Sequence, residues 1–458
     1  MLLFRVREDP MAKTSLKRTL SLWQVTALGL AWNTPMIYFS TFGVSYESAS
    51  GQLLITYVLS FLAILLTGAS YAKLAKKLPL SGSAYTYAKV TIHPNAGFLV
   101  GWVVLLNYLF APIIACITFG VFLSAQFPSI PPFVWITSLL ILLTVIAIRG
   151  VGASANISAL FVAIQLLFIG GFGALLLFNL MQNGSTLPFT QTFAEPILSL
   201  DNPVHALFMG TSVVVFSFLG FDTITTLSEE TKNPEKTIPR AIYMILFIVG
   251  GFHLSSSFFI QSSFPSLTFL NLDAAALEMM ATVGGPILQG IFILVLTMAI
   301  FTQGLASITA VSRLLFAMGR DNLLPGRMFS YIHPTYNTPV FNILLSSTLS
   351  LTAIFLSVDT AMRFVNFGAL TSFFFVNLCV ISLAYKQKEN VSYVKSYFVP
   401  AIAALIMMSL VSFLDSVTLT VGLIWMTIGC LYLLYLTKAF RHPLARWQPS
   451  KHSERTTV

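Results

Sequence analysis

The chain has 458 residues, of which 56% are hydrophobic and only 9% are charged. This composition is far from that of a soluble globular domain, and it leaves no length for a separate soluble domain beside the apolar segments. The formal net charge of +9 would suggest nucleic acid in a soluble protein, but here the basic residues fall between apolar segments, where they favour an anionic membrane surface. We therefore expect no nucleic-acid partner.

The amino-terminal sequence MLLFRVREDP is too short and too charged for a cleavable signal peptide. Translation from Met1 and translation from Met11 are both compatible with the sequence, because MAKTSLKRTL also reads as a basic tail. We expect residues 1–20 and 438–458 to be cytoplasmic tails on either side of a transmembrane domain at 21–437.

Twelve apolar segments are long enough to cross about 30 Å of hydrocarbon as helices. The sequence therefore predicts an all-α membrane protein with twelve transmembrane helices. The predicted spans are 22–46, 52–75, 96–126, 132–149, 155–180, 203–228, 240–262, 284–312, 338–357, 362–385, 396–414 and 417–437.

The basic residues alternate with the predicted spans. Every Lys and Arg except Arg363 falls in the two tails or in every second connection. Because Lys and Arg resist translocation, they remain in cytoplasmic loops. The pattern predicts an integral membrane protein with an even number of spans and with both termini in the cytoplasm.

Two predicted spans contain polar breaks. Span one reads GLAWNTPMIYFSTFG, where Asn33, Thr34 and Pro35 interrupt the apolar sequence. Span six reads VVVFSFLGFD, where Ser217 and Gly220 weaken the helix in the middle of the span. A single break of this kind most often reflects packing. Five spans separate these two, however, and discontinuous helices at corresponding positions of two halves mark the binding sites of inverted-repeat transporters. Backbone freed at such a break must line a protein-buried or water-filled cavity.

Four stretches extend this interpretation because they resemble the amino acid–polyamine–organocation permeases and, within them, the bacterial putrescine importer branch. They are SLWQVTALGLAWNTPMIYFSTFG (21–43), GSAYTYAKVTIHPNAGFLVGW (82–102), GFDTITTLSEETKNPEKTIPRAI (220–242) and GLASITAVSRLLFAMGRDNLLPGRMFSYIHP (304–334). The resemblance implies a leucine-transporter-type fold with a 5+5 inverted repeat and two additional helices. Repeat one would span about 21–180, repeat two about 203–385 and the extra helices about 396–437. The resemblance also implies secondary active import of a small amine or amino acid across a bacterial cytoplasmic (inner) membrane.

Two positions depart from the putrescine importers. Those importers carry acids where this chain has Ser40 and Asn107, and carboxylates are the natural counterions of a diamine. Amino-acid-selective members usually have a Gly-rich break whose amides hold the substrate carboxylate, whereas Pro35 supplies no amide here. The substrate therefore stays open between a polyamine such as putrescine and an amino acid.

An ionised side chain near mid-membrane costs several kcal/mol unless it is paired or hydrated, so Asp222 is a functional candidate. It could bind an ammonium, carry a coupling proton or cap the second half of span six, and the capping role is slightly favoured. By resemblance, Phe216 occupies an aromatic gate position that can offer a cation–π surface, and Tyr108 matches a substrate-contacting tyrosine. The predicted substrate-binding residues are Asn33, Thr34, Ser40, Asn107, Tyr108, Phe216, Ser217, Gly220 and Asp222.

Further residues are candidates for gating or coupling. Glu230 could join a gate at the inner end of span six, and Ser307 and Thr309 lie where sodium-coupled relatives place an ion. Some proton-coupled relatives use a Lys in span five, where this sequence has amides instead. The predicted gating or coupling residues are Trp32, Glu230, Ser307 and Thr309. We expect no cofactor, no metal and a driving gradient of either protons or sodium.

Two other functions fit parts of the sequence. A non-transporting membrane sensor on the same scaffold would usually add a soluble signalling domain, and a polytopic membrane enzyme would need clustered catalytic groups. The six histidines are scattered and no Walker-type phosphate loop appears. We therefore expect a transporter rather than an enzyme, in contact with the lipid bilayer, a small substrate and a coupling ion, as a monomer or homodimer.

Overall fold

A computed structural model describes residues 18–150, 154–182, 204–264, 268–387, 392–441 and 444. Most of the two predicted tails and most of the connection between spans five and six lie outside these residues. Within them the chain is almost entirely helical, and its one isolated backbone bridge joins Leu20 to Thr231.

The helices follow one another with short connections. In chain order they are α1 Leu22–Asn33, α2 Ile37–Ser40, α3 Phe42–Ser48, α4 Leu53–Lys77, α5 Ser83–Thr91, α6 Pro94–Gln126, α7 Pro132–Arg149, α8 Ser154–Gln182, α9 Val204–Val214, α10 Pro234–Ser263, α11 Ala275–Arg320, α12 Gly326–Phe329, α13 Val340–Ser350, α14 Val358–Gln387, α15 Val399–Ser412 and α16 Ser416–Leu436. Shorter 3₁₀ segments cover Val215–Phe218, Thr223–Glu230, Leu272–Ala274 and Leu351–Phe355, and a π-helical turn covers Val394–Phe398.

Ten of the helical stretches in the described ranges are long and apolar enough to cross a membrane. They account for ten of the predicted spans. The remaining two predictions correspond to the interrupted segment from Leu22 to Ser48 and to the shorter apolar stretch Val340–Phe355. A helix satisfies its own backbone hydrogen bonds, which is why apolar sequence of this kind crosses hydrocarbon in helical form.

Two features bear on the predicted boundaries. A helix at Ser83–Thr91, α5, lies between predicted spans two and three. Helix α11 begins at Ala275, but the backbone angles of Gly284 and Gly285 are not helical and divide it by a kink. The predicted start of span eight at 284 therefore coincides with the start of the second part of α11.

The helices divide into a central set and a peripheral set. In the most apolar 18-residue stretch of α6, 83% of the residues are buried, whereas in that of α16 only 22% are buried. Helix α6 packs along α11 and α14, α4 packs along α10, and α1 contacts α8, α10 and α11. The first segment is therefore surrounded by other helices, and α16 presents most of its apolar side chains outward.

Candidate functional site

Span one is interrupted directly after Asn33. Thr34 has φ 41° and ψ 109°, and regular α-helix resumes at Ile37. Pro35 has no N–H, so the carbonyl four residues earlier loses its helical donor. Among the described residues no backbone N–H donates to the Pro35 carbonyl. The predicted break is therefore present and leaves the Pro35 carbonyl without a backbone donor inside the protein.

Span six is interrupted over a longer stretch. Helix α9 ends at Val214, a 3₁₀ turn follows, and Leu219 is extended before the chain turns at Gly220 with φ 118°. A Cβ at Gly220 would lie 2.3 Å from Cδ1 of Trp32 and 3.0 Å from the backbone nitrogen of Asn33. Glycine is therefore required both for the backbone angle and for the approach of span one. The predicted break in span six is also present.

The side chain of Asn33 joins the two breaks. Its Nδ2 donates to the carbonyl of Ser217 at 3.2 Å and to the carbonyl of Leu219 at 2.5 Å. Both carbonyls belong to the interrupted part of span six, and an unpaired buried carbonyl is costly. The Asn33 Oδ1 atom is buried without a hydrogen-bond partner. Asn33 thus holds span six with its amide nitrogen and leaves an acceptor unused.

The residue after Asn33 is held from span five. The Thr34 hydroxyl donates to Oε1 of Gln165 in α8 at 2.7 Å, and both side chains are buried. A positive φ is unusual for a β-branched residue. The bond to Gln165 therefore stabilises a backbone conformation that the sequence alone disfavours.

A cavity lies between the two breaks. It has a volume of about 20 Å³, and about 10–15 Å³ suffices for one water molecule. A substrate of several heavy atoms would therefore need its walls to separate. The lining residues are Trp32, Asn33, Ile37, Asn107, Ala111, Phe216, Leu219, Gln303 and Val365.

The cavity lining combines amides with aromatic rings and carries no charged side chain. Within the described part of the chain, neither the Asn107 amide nor the Gln303 amide has a hydrogen-bond partner. Each amide offers two donors and one acceptor oxygen. Phe216 and Trp32 add ring faces that attract cations. This lining can hold a small polar molecule, including one with an ammonium group.

Four of the predicted site residues, Trp32, Asn33, Asn107 and Phe216, meet at this cavity. Tyr108 lies next to it: its ring centroid is 5.4 Å from that of Trp32, and its hydroxyl donates to Oδ2 of Asp222 at 3.4 Å. Asp222 is 3% exposed, and its Oδ1 has no hydrogen-bond partner. Tyr108 therefore contacts both the carboxylate of Asp222 and Trp32 of the cavity lining.

Asp222 precedes the 3₁₀ segment Thr223–Glu230, at the position of a helix cap. Its side chain makes no capping hydrogen bond to that segment. The capping role favoured from the sequence therefore has no side-chain hydrogen bond behind it, and the three roles considered for Asp222 stay predictions. Its Oδ2 atom instead accepts a hydrogen bond from Tyr108 of span three.

The remaining predicted residues make local contacts. The Ser40 hydroxyl donates to the Ile37 carbonyl at 3.0 Å, and the Ser217 hydroxyl lies 3.2 Å from the hydroxyl of Tyr57. Ser307 donates to Gly304 and Thr309 to Leu305 within α11. Hydroxyl groups in membrane helices commonly bond to their own backbone in this way. The structure does not bring these four side chains to the cavity, and their functional roles stay predictions.

Glu230 lies at the basic end of span six and ties three segments together. Its carboxylate is 3.1 Å from Arg313 of α11, and its carbonyl accepts from the backbone of Thr19 and Leu20 at 2.9 and 3.0 Å. The Lys232 N–H in turn donates a hydrogen bond to the Leu20 carbonyl at 3.0 Å. The start of span one is therefore fastened to the end of span six at this end.

A second cluster closes the same end between α5 and α11. Lys89 lies 2.6 Å from Asp321, and the Tyr85 hydroxyl donates to the same carboxylate. Burial and the adjacent carboxylate raise the pKa of Tyr85 well above its usual range, so the hydroxyl remains a donor. Both clusters join separate segments at the basic end.

Sequence reasoning missed Gln303. It stands in the apolar run AIFTQGLAS, and a polar amide in the middle of a span is itself a signal of a buried site. It also missed Ile37, Ala111, Leu219 and Val365 of the lining. Apolar residues of this kind carry no signal that separates them from packing residues.

Comparisons with known proteins show what the whole chain is similar to. The amino acid permease family model matches residues 23–437. The low-affinity putrescine importer PlaP of Escherichia coli K12 is 35% identical over 442 residues, which cover 95% of this chain and 97% of that protein. The methylthioribose transporter of Bacillus subtilis 168 is 30% identical, and the branched-chain amino acid permease BcaP of the same organism is 28% identical. Each of these two alignments covers 93% of this chain and 94% of the other protein.

Proposed function

The chain belongs to the amino acid permease family and is a secondary transporter of small amines or amino acids, and we propose that it imports its substrate by alternating access across a bacterial cytoplasmic membrane. The named activities of the relatives support import of a small polar solute. Both termini lie on the cytoplasmic side in this proposal, because the basic residues cluster in the tails and in alternate connections.

The architecture we propose has twelve spans arranged as two inverted five-span repeats and two extra helices. Ten long apolar helices, the interrupted segment Leu22–Ser48 and the shorter stretch Val340–Phe355 together support this number. The breaks in spans one and six fall at corresponding positions of the two repeats. Such positions form the substrate site in inverted-repeat transporters.

The single observation that carries the proposal is the cavity between the two breaks. Its lining offers unpaired amides from Asn107 and Gln303 and ring faces from Trp32 and Phe216. Substrate binds there as the walls separate, and an ammonium group lies against the aromatic rings. The buried carboxylate of Asp222, reached through Tyr108, compensates its charge.

The substrate that suits this lining has one ammonium group and a small polar or apolar remainder. A diamine has two positive charges, and Asp222 is one carboxylate beside a lining that has none. A free carboxylate on the substrate would need donors, which the amides of Asn107 and Gln303 can supply. Monoamines and neutral amino acids therefore rank ahead of putrescine in this proposal.

Alternating access follows from the contacts at the basic end. The Glu230–Arg313 pair and the Leu20–Thr231 bridge hold that end shut. Substrate release to the cytoplasm requires these contacts to separate while the opposite end closes. A proton or sodium gradient drives the cycle.

Uptake into reconstituted proteoliposomes tests the proposal. Uptake of labelled putrescine and of a labelled panel of monoamines and of neutral and cationic amino acids is measured, with pH and sodium gradients varied separately. We expect saturable uptake of at least one of these compounds, inhibited most strongly by unlabelled compounds with one ammonium group. No gradient-driven uptake of any panel member would contradict the transport proposal.

A matched pair of variants tests the place of the site. Phe216→Leu keeps apolar volume but removes the ring face, so we expect uptake to fall about tenfold, equivalent to about 1.4 kcal/mol. Phe178→Leu is the control, because Phe178 is 56% exposed on α8. Equal uptake by both variants would count against the cavity as the binding site.

A further inference from the structure

His253 is a buried titratable side chain that the site described above does not use. It lies in α10, is 1% exposed, and neither Nδ1 nor Nε2 has a hydrogen-bond partner. Buried polar groups are nearly always paired, so an unpaired imidazole needs an explanation. An apolar ring could fill this space without leaving two nitrogen atoms unpaired.

The imidazole lies between the two breaks. On the side of span one, the Pro35 carbonyl faces the ring, and the Tyr38 ring centroid is 5.5 Å away. On the side of span six, the Phe218 ring is 5.3 Å away. Tyr57 of α4, at 5.7 Å, completes the surroundings.

The surroundings offer contacts that an imidazolium could use once water reaches it. Three aromatic rings have centroids within 6 Å of the imidazole, and aromatic rings can attract a cation. The Pro35 carbonyl receives no backbone hydrogen bond, so it can accept one from an imidazolium N–H. Histidine is the side chain whose ordinary titration range spans physiological pH.

The hydroxyl groups around the ring are engaged elsewhere. Tyr38 and Tyr57 are the titratable side chains that contact it, and their hydroxyls are hydrogen-bonded to Ser257 and Ser217. The carboxylate of Asp222 is the other buried acid at the breaks: its Oδ2 accepts from Tyr108, and its Oδ1 has no partner. Gln165, which contacts the same break from span five, has a neutral amide.

We propose that His253 is a proton-binding site of the transport cycle. The imidazole takes a proton from water on the outer side when the two breaks separate, and it releases that proton to the inner side after they move again. The charge on the ring is thereby linked to the Pro35 carbonyl in span one and to Phe218 in span six. This inference rests on the proposed transport function and names its coupling ion.

The test uses full-length protein in proteoliposomes with labelled putrescine, or with labelled leucine if putrescine is not taken up. Two assays are compared: accumulation driven by a pH gradient that is acidic outside, and exchange against internal unlabelled substrate without a gradient. His253→Gln keeps a neutral polar side chain of similar size. His205→Gln is the matched control, because His205 is exposed and packs on Phe413.

For His253→Gln we expect gradient-driven accumulation to fall at least tenfold, to the level seen without a gradient, while exchange stays within about twofold of wild type. His205→Gln should behave like wild type in both assays. Full gradient-driven accumulation by His253→Gln would overturn the proton site. Wild-type uptake driven by sodium and insensitive to the pH gradient would also overturn it, but would leave the transport function standing.

A second variant keeps the proposal testable if His253→Gln does not fold. Phe218→Leu removes one aromatic face but leaves the histidine in place. Because a cation loses a favourable contact, the pH of half-maximal uptake should move to lower values. An unchanged midpoint in a folded, active Phe218→Leu protein would contradict the role of the ring.

Discussion

The first and sixth spans are both interrupted, but the two breaks are built differently. Span one loses its helix over three residues after Asn33 and then resumes α-helix at Ile37. Span six has no α-helix between Val214 and the start of α10, and 3₁₀ segments stand on both sides of Gly220. Since 3₁₀ hydrogen bonds have poorer geometry, span six is the looser of the two.

The hydrogen bonds between the two breaks also differ from one span to the other. Span one supplies the side chain that holds the other break, because Asn33 donates to the carbonyls of Ser217 and Leu219. Span six supplies the two carbonyls that accept these hydrogen bonds, and Gly220, against which Trp32 packs. The comparison teaches that span one holds span six in place through the side chain of Asn33, which we call the clamp.

The largest expected effect comes from the contact point of the two breaks. Gly220→Ala places a Cβ 2.3 Å from Trp32, at a φ of 118° that alanine disfavours. Such backbone strain costs about 1–3 kcal/mol, and relieving the clash separates the two spans. We expect uptake to fall at least tenfold and the melting temperature in detergent to drop.

Gly251→Ala is the control for this change, because nothing lies within 4 Å of a Cβ built at Gly251. It should leave both uptake and melting temperature near wild type. If Gly220→Ala transports as well as Gly251→Ala, the close approach of the two breaks is not required for function.

A smaller effect is expected from loss of the clamp. Asn33→Leu keeps the volume but leaves two carbonyls of span six unpaired, at a cost of about 1–3 kcal/mol. Thermal unfolding in detergent measures the loss. Asn366→Leu is the matched control, because Asn366 donates at 3.1 Å to Val213, which is still within α9.

If Asn33 is the clamp, Asn33→Leu should reduce uptake more than Asn366→Leu even where the two lose similar stability. Equal loss of uptake in the two variants would mean that any bond to span six serves as well as the one at the break.

The smallest effect is expected at Thr34. Thr34→Val removes the hydroxyl bonded to Gln165 at 2.7 Å, which should cost about 0.5–1.5 kcal/mol. Thr144→Val, which removes a bond from α7 to Ser347 of α13, gives the reference loss of stability. Uptake slowed by Thr34→Val but not by Thr144→Val would show that the break in span one must be held from span five.

Much of this architecture could be predicted from local sequence. The spans follow from apolar length, and the breaks follow from Pro35 and Gly220, whose backbone preferences act within a few residues. The pairing of Asn33 with Leu219 could not be predicted, because it joins positions 186 residues apart. A polar residue in a span shows that a partner exists without showing which one.

The candidate site was predicted less completely than the fold. Trp32, Asn107 and Phe216 reach the cavity as expected, but Gln303 was overlooked although its amide stands in an apolar run. His253 was set aside as one of several scattered histidines. Its position between the breaks depends on tertiary packing and has no signature in sequence spacing.

The central claim is that the cavity between the breaks is the substrate site and faces each side in turn. Ala111 lies in its wall, so Ala111→Cys can report on access once Cys116, Cys379 and Cys430 are replaced by Ala. Ser416→Cys, at an exposed position at the start of α16, is the control. Both proteins are treated in proteoliposomes with a membrane-impermeant cationic methanethiosulfonate reagent.

The most direct measurement is the rate of Ala111→Cys labelling with and without a saturating concentration of a substrate that the protein transports. We predict that substrate slows this labelling at least fivefold and leaves Ser416→Cys unchanged. Labelling of Ala111→Cys at the same rate with and without a transported substrate would contradict the account.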